Sequence, residues 1–264
     1  MTTREDLRRR IHPTAAVDPQ AELAEGVQVG PYAVIGAGVR LGARTRVGPH
    51  AVLMGNLSMG EDNVVHPHAV LGDDPQDLKY RGGRTYVEIG DRNQIREFVT
   101  IHPATHEDAT TRVGSDCLLM AYTHLGHDCQ IGSHVIMANS SHLGGHVVVE
   151  DWAIIGGVSA VHQFTRVGRH SLVGMCSRVG KDVPPFVKVA GEPLRTAGLN
   201  SVGLIRRGFP LETRLELKRA YRILFRSHLT VREAVRRIRE ELHPLTEIEQ
   251  LCAFVSSSQR GIVL

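Results

Sequence analysis

The chain has 264 residues and a mass of 29.0 kDa, enough for one large domain or two small ones with a real hydrophobic core. Its 42% hydrophobic residues argue against disorder, and a net charge of only +3 excludes a strongly basic nucleic-acid coat, so no nucleic-acid partner is expected. No apolar run reaches the length of a membrane span, and no apolar stretch follows the N-terminal segment MTTREDLRRR. We therefore expect neither an integral membrane segment nor a secretory signal. The four cysteines form no CxxC pair, which favours a cytoplasmic protein with reduced thiols.

A repeat of six residues runs through the first two thirds of the chain. Of 29 positions taken every sixth residue from 11 to 179, 26 are Ile, Leu, Val or Met. A period of six fits a short strand followed by a turn, and three such units close one triangular coil. The sequence therefore predicts a parallel β-helix of hexapeptide repeats over residues 1–187. Such β-helices are typically left-handed as a class, which the spacing itself does not determine.

Two stretches interrupt this repeat. Residues 72–86 lose the pattern, yet the register resumes in phase after them, and residues 103–112 form a second, shorter break. We expect loops that protrude from the prism at both places. Long loops on a rigid scaffold often carry function, although a tolerated insertion would give the same pattern.

The hexads end after Pro184-Pro185, and helical periodicity follows over residues 210–227, 230–242 and 245–256. Thr230 and Glu233 have the spacing of a capping box. The sequence therefore predicts a small α-helical C-terminal domain over residues 188–264.

Histidine is unusually frequent, with 15 copies, and several map outward near one edge of the predicted prism. His106, His124 and His142 are separated by eighteen residues, the length of one coil, if segment 103–112 keeps register. Three more histidines lie near them when the coils are stacked: His127, His146 and His162. A cluster of neutral imidazoles suits proton transfer near neutral pH.

Two kinds of chemical site fit this cluster. In the first, His127 is a general base that takes a proton from a hydroxyl, with Asp128 orienting its ring. In the second, His124, His127 and His146 bind zinc, as in the γ-type carbonic anhydrases, which share the hexapeptide β-helix. Spacing alone does not separate the two, and a non-enzymatic scaffold is a third, less favoured class.

The chain also resembles a known enzyme family along nearly its whole length, helical tail included. The most specific motifs are HLGHDC (124–129), AVHQF (160–164) and IRRGF (205–209), supported by DLKY (77–80) and DVPP (182–185). They resemble the UDP-N-acetylglucosamine 3-O-acyltransferases of lipid A synthesis. The N-acylating cousins in the same pathway normally carry an extra N-terminal uridine-binding domain, whereas the hexads here start at residue 11.

The resemblance implies transfer of a 3-hydroxyacyl group from acyl carrier protein to the 3-hydroxyl of UDP-N-acetylglucosamine, the first step of lipid A biosynthesis. It implies no metal and no bound cofactor. It also implies a homotrimer with active sites between neighbouring prisms. A 3-amino acceptor sugar would use the same base, so the sequence leaves the choice between hydroxyl and amine open.

Site residues follow from the same motifs. The match implies His127 as the base and Gly145 as a backbone N–H donor to the oxyanion, with Asp128 beside them. Positions that match substrate contacts are the loop residues Gln76, Asp77 and Lys79, then His124 at the sugar, His146 as a residue that holds substrate, and the nucleotide-site residues His162, Gln163, Asn200, Arg206 and Arg207. A diphosphate is well bound by such cationic side chains. Val202 departs from the Glu that many relatives carry at its position.

Met175 matches the position that lines the far end of the acyl groove in the family. Relatives with Gly there accept chains of about fourteen carbons, and relatives with Met prefer about ten, since hydrophobic pockets discriminate per methylene. The resemblance therefore implies a donor of about ten carbons.

Overall fold

Residues 10–264 are described by the computed structural model, as a triangular prism of short strands followed by helices. The coils of the prism contribute their short strands in turn to three sheets. The predicted left-handed parallel β-helix with a helical C-terminal region is confirmed. Within the described range, no helix is both long and apolar enough to cross a membrane. The prediction about a secretory signal concerns residues outside that range.

The three sheets run the length of the prism. The first sheet contains Arg10–Ile11, Gln28–Val29, Arg46–Val47, Val64–Val65, Gln94–Ile95, Leu118–Leu119, Ile136–Met137, Ile154–Ile155, Leu172–Val173, Val187–Ala190 and Arg195–Leu199. The second sheet contains Ala16–Val17, Val34–Ile35, Val52–Leu53, Val70–Leu71, Thr100–Ile101, His124–Leu125, His142–Leu143, Ala160–Val161 and Arg178–Val179. The third sheet contains Glu22–Leu23, Arg40–Leu41, Asn56–Met59, Tyr86–Ile89, Thr110–Val113, Gln130–Ile131, Val148–Val149 and Arg166–Val167.

The repeated aliphatic residue of each hexad forms the core. Strand side chains alternate, so one residue of each two-residue strand points inward and its neighbour points outward. Leu71, Ile101, Leu125 and Leu143 have no exposed surface, and each pairs in register with the equivalent residue of the next coil. Stacking of equivalent aliphatic side chains therefore explains why the period of six is kept so strictly. Cys117 and Cys129 are buried in the same core.

Three corners join the sheets, and each has its own chemical character. The first corner, between the first and second sheets, stacks the rings of Tyr32, His50, His68, Phe98 and Tyr122. The second corner, between the second and third sheets, carries Asp128, His146 and Phe164. The third corner, between the third and first sheets, carries His134, Trp152 and His170. All of these residues have a positive φ, because the turn after each strand places one residue in the left-handed region.

Both interruptions of the repeat lengthen a coil by whole hexads. Leu71 pairs with Ile101, thirty residues on, and Ile101 pairs with Leu125, twenty-four residues on, instead of eighteen. The register resumes in phase because the extra residues come in multiples of six. The irregular segments are 72–85 and 102–109, both at the second corner, and Tyr86 and Thr110 already begin strands.

Above the last coils, the chain turns back and becomes helical. Val187–Ala190 still pairs with the first sheet and then forms an antiparallel hairpin with Arg195–Leu199. The helices are α1 (Ser201–Arg206), α2 (Leu211–Arg226), α3 (Val231–Glu241) and α4 (Thr246–Ser256). The three predicted helices are confirmed within two residues at each end, and α3 begins with the predicted capping box of Thr230 and Glu233. The hairpin and α1 were not predicted, and a domain boundary at residue 187 stays a prediction.

The outward faces of the sheets differ in polarity. The third sheet exposes ion pairs such as Arg40 with Glu22 and Arg112 with Glu88. The first sheet instead turns an apolar, half-buried row outward in its upper coils: Leu118, Ile136, Ile154 and Leu172. The third sheet therefore has the character of a solvent-facing surface, whereas the first sheet has that of a packing surface.

Candidate active site

A cleft of about 740 Å³ opens at the second corner, where both irregular segments leave the prism. Segment 72–85 contributes one wall and segment 102–109 another, and the corner residues form the floor. The cleft is lined by Gln76, Asp77, Leu78, Lys79, Tyr80, Thr105, His106, His127, His146, Gln163 and Phe164. Six of the residues predicted from sequence to form the site line this cleft: Gln76, Asp77, Lys79, His127, His146 and Gln163.

His127 is held by Asp128 on the floor of this cleft. The imidazole Nδ1 lies 2.8 Å from Asp128 Oδ2. A carboxylate can only accept, so Nδ1 carries the proton, and in the neutral ring Nε2 keeps a free lone pair. Burial alone would raise the pKa of Asp128, but hydrogen bonds from His127 and Thr105 lower it below its ordinary value. The pair therefore combines an ionised carboxylate with an imidazole able to accept a proton.

His146 lies one coil above His127 and packs edge-on against it, with ring centres 5.1 Å apart. Its backbone N–H donates to the carbonyl of His127 at 2.9 Å, which is the ladder hydrogen bond between the two coils. Phe164 stacks on its other face at 4.5 Å. Burial lowers the pKa of His146, so its ring is neutral near neutral pH. Its Nε2 lies 3.6 Å from Asp128 Oδ2.

Gly145 lies directly against the imidazole of His127. A Cβ at this position would be 2.4 Å from both Cε1 and Nε2 of the ring, so no other residue fits without moving the histidine. Within residues 10–264, no partner is found for the Gly145 N–H. Pro19 occupies the equivalent turn position at the same corner in the first coil, so the ladder does not need a donor at this position. Gly145 therefore offers a free N–H next to the candidate base.

His124 points outward from the second sheet, beside the cleft rather than in it. Its Nδ1 lies 2.7 Å from Thr100 Oγ1, and the rings of His102 and His142 lie on either side of it. Burial, with a smaller effect from these two histidines, lowers the pKa of His124 to about 4.

The predicted column of His106, His124 and His142 is wrong in its first member. Thr100, not His106, pairs with His124 in the second sheet, because the coil between them is longer by one hexad. His106 lies on segment 102–109 and reaches the cleft by that route.

The predicted loop residues lie on one tight turn of segment 72–85. Asp77 Oδ1 accepts the backbone N–H of Lys79 at 2.8 Å, and the Asp77 carbonyl accepts that of Tyr80 at 3.0 Å. Gln76 and Lys79 are exposed along the cleft, and Leu78 between them is 95% exposed. The turn therefore presents polar side chains to the cleft without anchoring them to the prism.

His162 and Gln163 follow the next strand of the second sheet, one coil above His146. Both side chains are exposed, and Gln163 lines the cleft. His162 Nδ1 lies 3.0 Å from the carbonyl of Gln163, so its Nδ1–H donates to its own neighbour.

The other predicted nucleotide residues lie at the third corner, away from His127. Asn200 is buried, and its side chain caps α1 by accepting the N–H of Gly203 and donating to the carbonyl of His170. The Arg207 guanidinium lies 5.1 Å over the ring of Trp152 and contacts no carboxylate within residues 10–264. Arg206 is exposed. One chain therefore does not bring these residues to the cleft that holds His127.

Two further residues from the resemblance are exposed. Met175 is 72% exposed at the first corner, and Val202 is 61% exposed on α1. Neither faces the cleft of its own chain.

Sequence reasoning missed several residues that shape these regions. Thr105 was missed because it lies in an irregular segment where periodicity carries no signal. Phe164 was within a quoted motif but was given no role, although its position three residues past Val161 matches that of His146 past Leu143. Trp152 was also left without a role, and the structure stacks it between His134 and His170.

Comparisons with known proteins agree along the whole chain. Residues 182–263 match the family described as UDP N-acetylglucosamine O-acyltransferase, domain 2, and residues 110–145 match bacterial transferase hexapeptide repeats. A protein of Thermodesulfovibrio yellowstonii named acyl-(acyl-carrier-protein)–UDP-N-acetylglucosamine O-acyltransferase is 47% identical over 96% of this chain and 98% of its own length. A protein of the same name from a Sulfurihydrogenibium species is 56% identical over 96% of this chain and 93% of its own.

Solved structures give the same result. LpxA from Acinetobacter baumannii superposes with a TM-score of 0.93 at 41% identity, covering 96% of this chain and 99% of that one. LpxA of Bacteroides fragilis, a UDP-N-acetylglucosamine acyltransferase, superposes with a TM-score of 0.92 at 34% identity and the same coverage. With this identity over nearly its full length and a shared fold, the chain belongs to the UDP-N-acetylglucosamine O-acyltransferase family.

Proposed function

We propose that the protein transfers a 3-hydroxyacyl group from acyl carrier protein to the 3-hydroxyl of UDP-N-acetylglucosamine, the first step of lipid A biosynthesis. The observation that carries this proposal is the His127–Asp128 pair in an open cleft, with Gly145 against the imidazole. The names of relatives that match 96% of the chain agree with it. The proposal includes no cofactor.

In the proposed reaction, His127 Nε2 accepts the proton of the sugar hydroxyl as its oxygen attacks the thioester carbonyl. A sugar hydroxyl is a poor nucleophile at neutral pH, so removing its proton in the transition state lowers the barrier. Asp128 holds Nδ1–H and stabilises the imidazolium that forms. When the tetrahedral intermediate collapses, the C–S bond breaks and the proton passes from His127 to the leaving thiolate of the carrier.

Gly145 is the proposed oxyanion donor. The carbonyl oxygen gains negative charge in the tetrahedral intermediate, and a fixed N–H aimed at it stabilises that charge. Two observations support this role: the N–H of Gly145 has no partner within residues 10–264, and it lies beside the proposed base.

The substrate contacts belong to the same proposal. Gln76, Asp77 and Lys79 present polar groups to the sugar nucleotide from one wall of the cleft, and Gln163 does so from another. The remaining proposed contacts are His124 for the sugar, His146 as a residue that holds substrate, and His162, Asn200, Arg206 and Arg207 for the nucleotide. Asn200 would act indirectly, since its side chain already caps α1.

We also propose a homotrimer in which neighbouring copies complete each site. His127 lies at the second corner and Arg207 at the third, so one chain cannot offer both to one ligand. Arg207 lies over Trp152 and has no carboxylate partner among residues 10–264, which fits a diphosphate presented from another copy. The apolar outward row of the first sheet supports burial of that face against a partner.

The proposed donor has about ten carbons, with Met175 as the end of the acyl groove. Met adds four heavy atoms to the space that Gly leaves open, and each methylene that cannot be buried forfeits about 0.8 kcal/mol. We expect Met175→Gly to shift preference toward donors of about fourteen carbons, by up to about a hundredfold. Competition between carrier-linked donors of graded length measures this. A wild-type preference for long donors that Met175→Gly leaves unchanged would contradict it.

The rival function is a zinc-dependent hydratase. Its predicted ligands are three histidines, but among residues 10–264 the group close enough to share an ion is His127, Asp128 and His146, and His124 is not part of it. Asp128 Oδ2 already accepts from Thr105 and His127, which favours the base over a metal site. Metal analysis together with assays in chelator decides between them. Stoichiometric zinc and loss of activity in chelator would support the rival.

His127→Ala tests the central assignment. We expect turnover to fall by roughly a hundredfold to ten-thousandfold, the range for loss of a general base, while the fold is kept. His12→Ala, an exposed histidine in the first coil, is the matched control and should keep full activity. A near-normal rate for His127→Ala together with a large loss for His124→Ala would move the base to His124.

The proposed location is the cytoplasm. All four cysteines lie in the described range and none is in a disulfide. This is the state expected of thiols in a reducing compartment.

A further inference from the structure

Segment 102–109 brings Thr105 onto the carboxylate of Asp128. The backbone N–H of Thr105 donates to Asp128 Oδ2 at 3.2 Å, and its hydroxyl donates to the same oxygen at 2.8 Å. Nδ1–H of His127 donates to that oxygen as well, also at 2.8 Å. Three donors from two separate parts of the chain therefore converge on one carboxylate oxygen.

Asp128 is fixed at its backbone too. Its N–H donates to the buried hydroxyl of Thr111 at 2.9 Å, and its own side chain is only 10% exposed. The remaining freedom of the residue is rotation of the carboxylate group itself. The Thr105 hydroxyl opposes this rotation, since turning Oδ2 away would break a hydrogen bond to a charged acceptor, which is stronger than one between neutral groups.

We propose that Thr105 is a positioning residue: its hydroxyl holds the Asp128 carboxylate so that His127 keeps its proton on Nδ1 and presents bare Nε2 to the cleft. The inference rests on the proposed role of His127 as the base. The inference assigns a function to segment 102–109, which makes this coil six residues longer. In the sequence, this segment is recognisable only as an interruption of the repeat. Thr105 acts on the reaction through Asp128 and His127, not by contact with the reacting atoms.

Thr105→Val removes the hydroxyl at nearly constant shape, and Thr105→Ser restores it. Because the lost bond is to a charged group, we expect Thr105→Val to lower kcat by roughly 10- to 100-fold. KM for both substrates should stay within about twofold, as expected when only the chemical step is weakened. Thr105→Ser should recover most of the rate. Thr196→Val, a half-buried threonine in the hairpin, is the matched control for loss of a hydroxyl.

A double-mutant cycle with Asp128→Asn separates positioning from a general structural role. If Thr105 acts only through the carboxylate, Thr105→Val should cost little once Asp128 is already Asn, so the two losses should not multiply. A structural role elsewhere would instead give losses that multiply. The cycle remains informative if Thr105→Val loses some stability, because each comparison is made within one background.

Two results would overturn the inference: full kcat in Thr105→Val, or losses that multiply in the cycle. Measuring His127→Ala in parallel separates failure of the proposed role of Thr105 from failure of the proposed function. If His127→Ala is inactive and Thr105→Val is fully active, only the proposed role of Thr105 is rejected, and the proposed role of His127 is kept. An active His127→Ala rejects the base, and the positioning role with it.

Discussion

Gly145 shows how one residue is fixed by space rather than by backbone conformation. Its φ is outside the left-handed region that favours glycine, yet a Cβ would lie 2.4 Å from two ring atoms of His127. At this point of the prism, the position of the His127 imidazole thus dictates the residue one coil above it.

We expect Gly145→Ala to displace the His127 imidazole and lower kcat by roughly a hundredfold, because a shift of about 1 Å in a reacting group can cost that much. Gly180→Ala is the matched control, since a Cβ there meets nothing within 4 Å. Steady-state kinetics of both variants check the prediction. Equal activity of the two would show that the histidine can move aside without cost.

Two half-buried histidines, His124 and His170, make the stability of the fold sensitive to acid. Burial lowers the pKa of His124 and of His170 to about 4, from an ordinary value of 6.5. As pH falls below about 6.5, the unfolded chain binds protons that the folded chain does not, so the free energy of unfolding must fall until about pH 4. Urea denaturation at fixed protein concentration between pH 6.5 and about 5 should show this loss. His124→Gln should flatten the slope, whereas His12→Gln should leave it unchanged.

At the scale of elements, the two inserted segments support each other. Arg84 of segment 72–85 forms two hydrogen bonds with the carboxylate of Asp108, at 2.7 and 3.0 Å, and its backbone N–H donates to Glu107 at 3.0 Å. The backbone N–H of Asp108 donates back to the Arg84 carbonyl at 2.8 Å. The wall that carries Lys79 is therefore tied to the segment that carries Thr105.

Arg84→Ala should loosen this wall and raise KM for UDP-N-acetylglucosamine by about two- to fivefold, the range for an exposed ion pair, with little change in kcat. High salt should have a similar effect on the wild type. Arg112→Ala removes a comparable exposed pair, with Glu88, on the third sheet and serves as control. If both variants behaved alike, the tie between the segments would have no role in substrate binding.

At the scale of the whole molecule, the candidate site is divided between two corners of the prism. This division makes mixed oligomers a direct test of the proposed trimer. His127→Ala and Arg206→Ala chains should each be weakly active alone. When refolded or co-expressed together, they should regain activity, because about one quarter of randomly assembled sites receive both intact residues. Mixtures no more active than their components would mean that one chain supplies the whole site.

Most of the fold could be predicted from the sequence because one residue class recurs at one spacing. The aliphatic slot specifies strand, turn and coil together, and the three tail helices follow from their own periodicity. The hairpin before α1 could not be predicted in this way, since Arg195–Leu199 has no alternating pattern and pairs with a strand only because the prism ends there.

The sequence by itself determined the β-helix and the helical tail, because both follow from local spacing. Its motifs also indicated His127 and Asp128 as candidate site residues. Only the tertiary structure decided which residues meet across coils. A coil lengthened by whole hexads keeps the phase of the repeat, but its residues pair with different residues of the next coil. His124 therefore pairs with Thr100 and not with His106, and the Thr105 hydroxyl donates to the Asp128 carboxylate. It also decided that Arg207 and His127 belong to different corners. The physical reason is the same in each case. The inward or outward direction of a side chain depends only on its position within its own hexad, whereas its neighbours along a corner depend on the length of every coil between them.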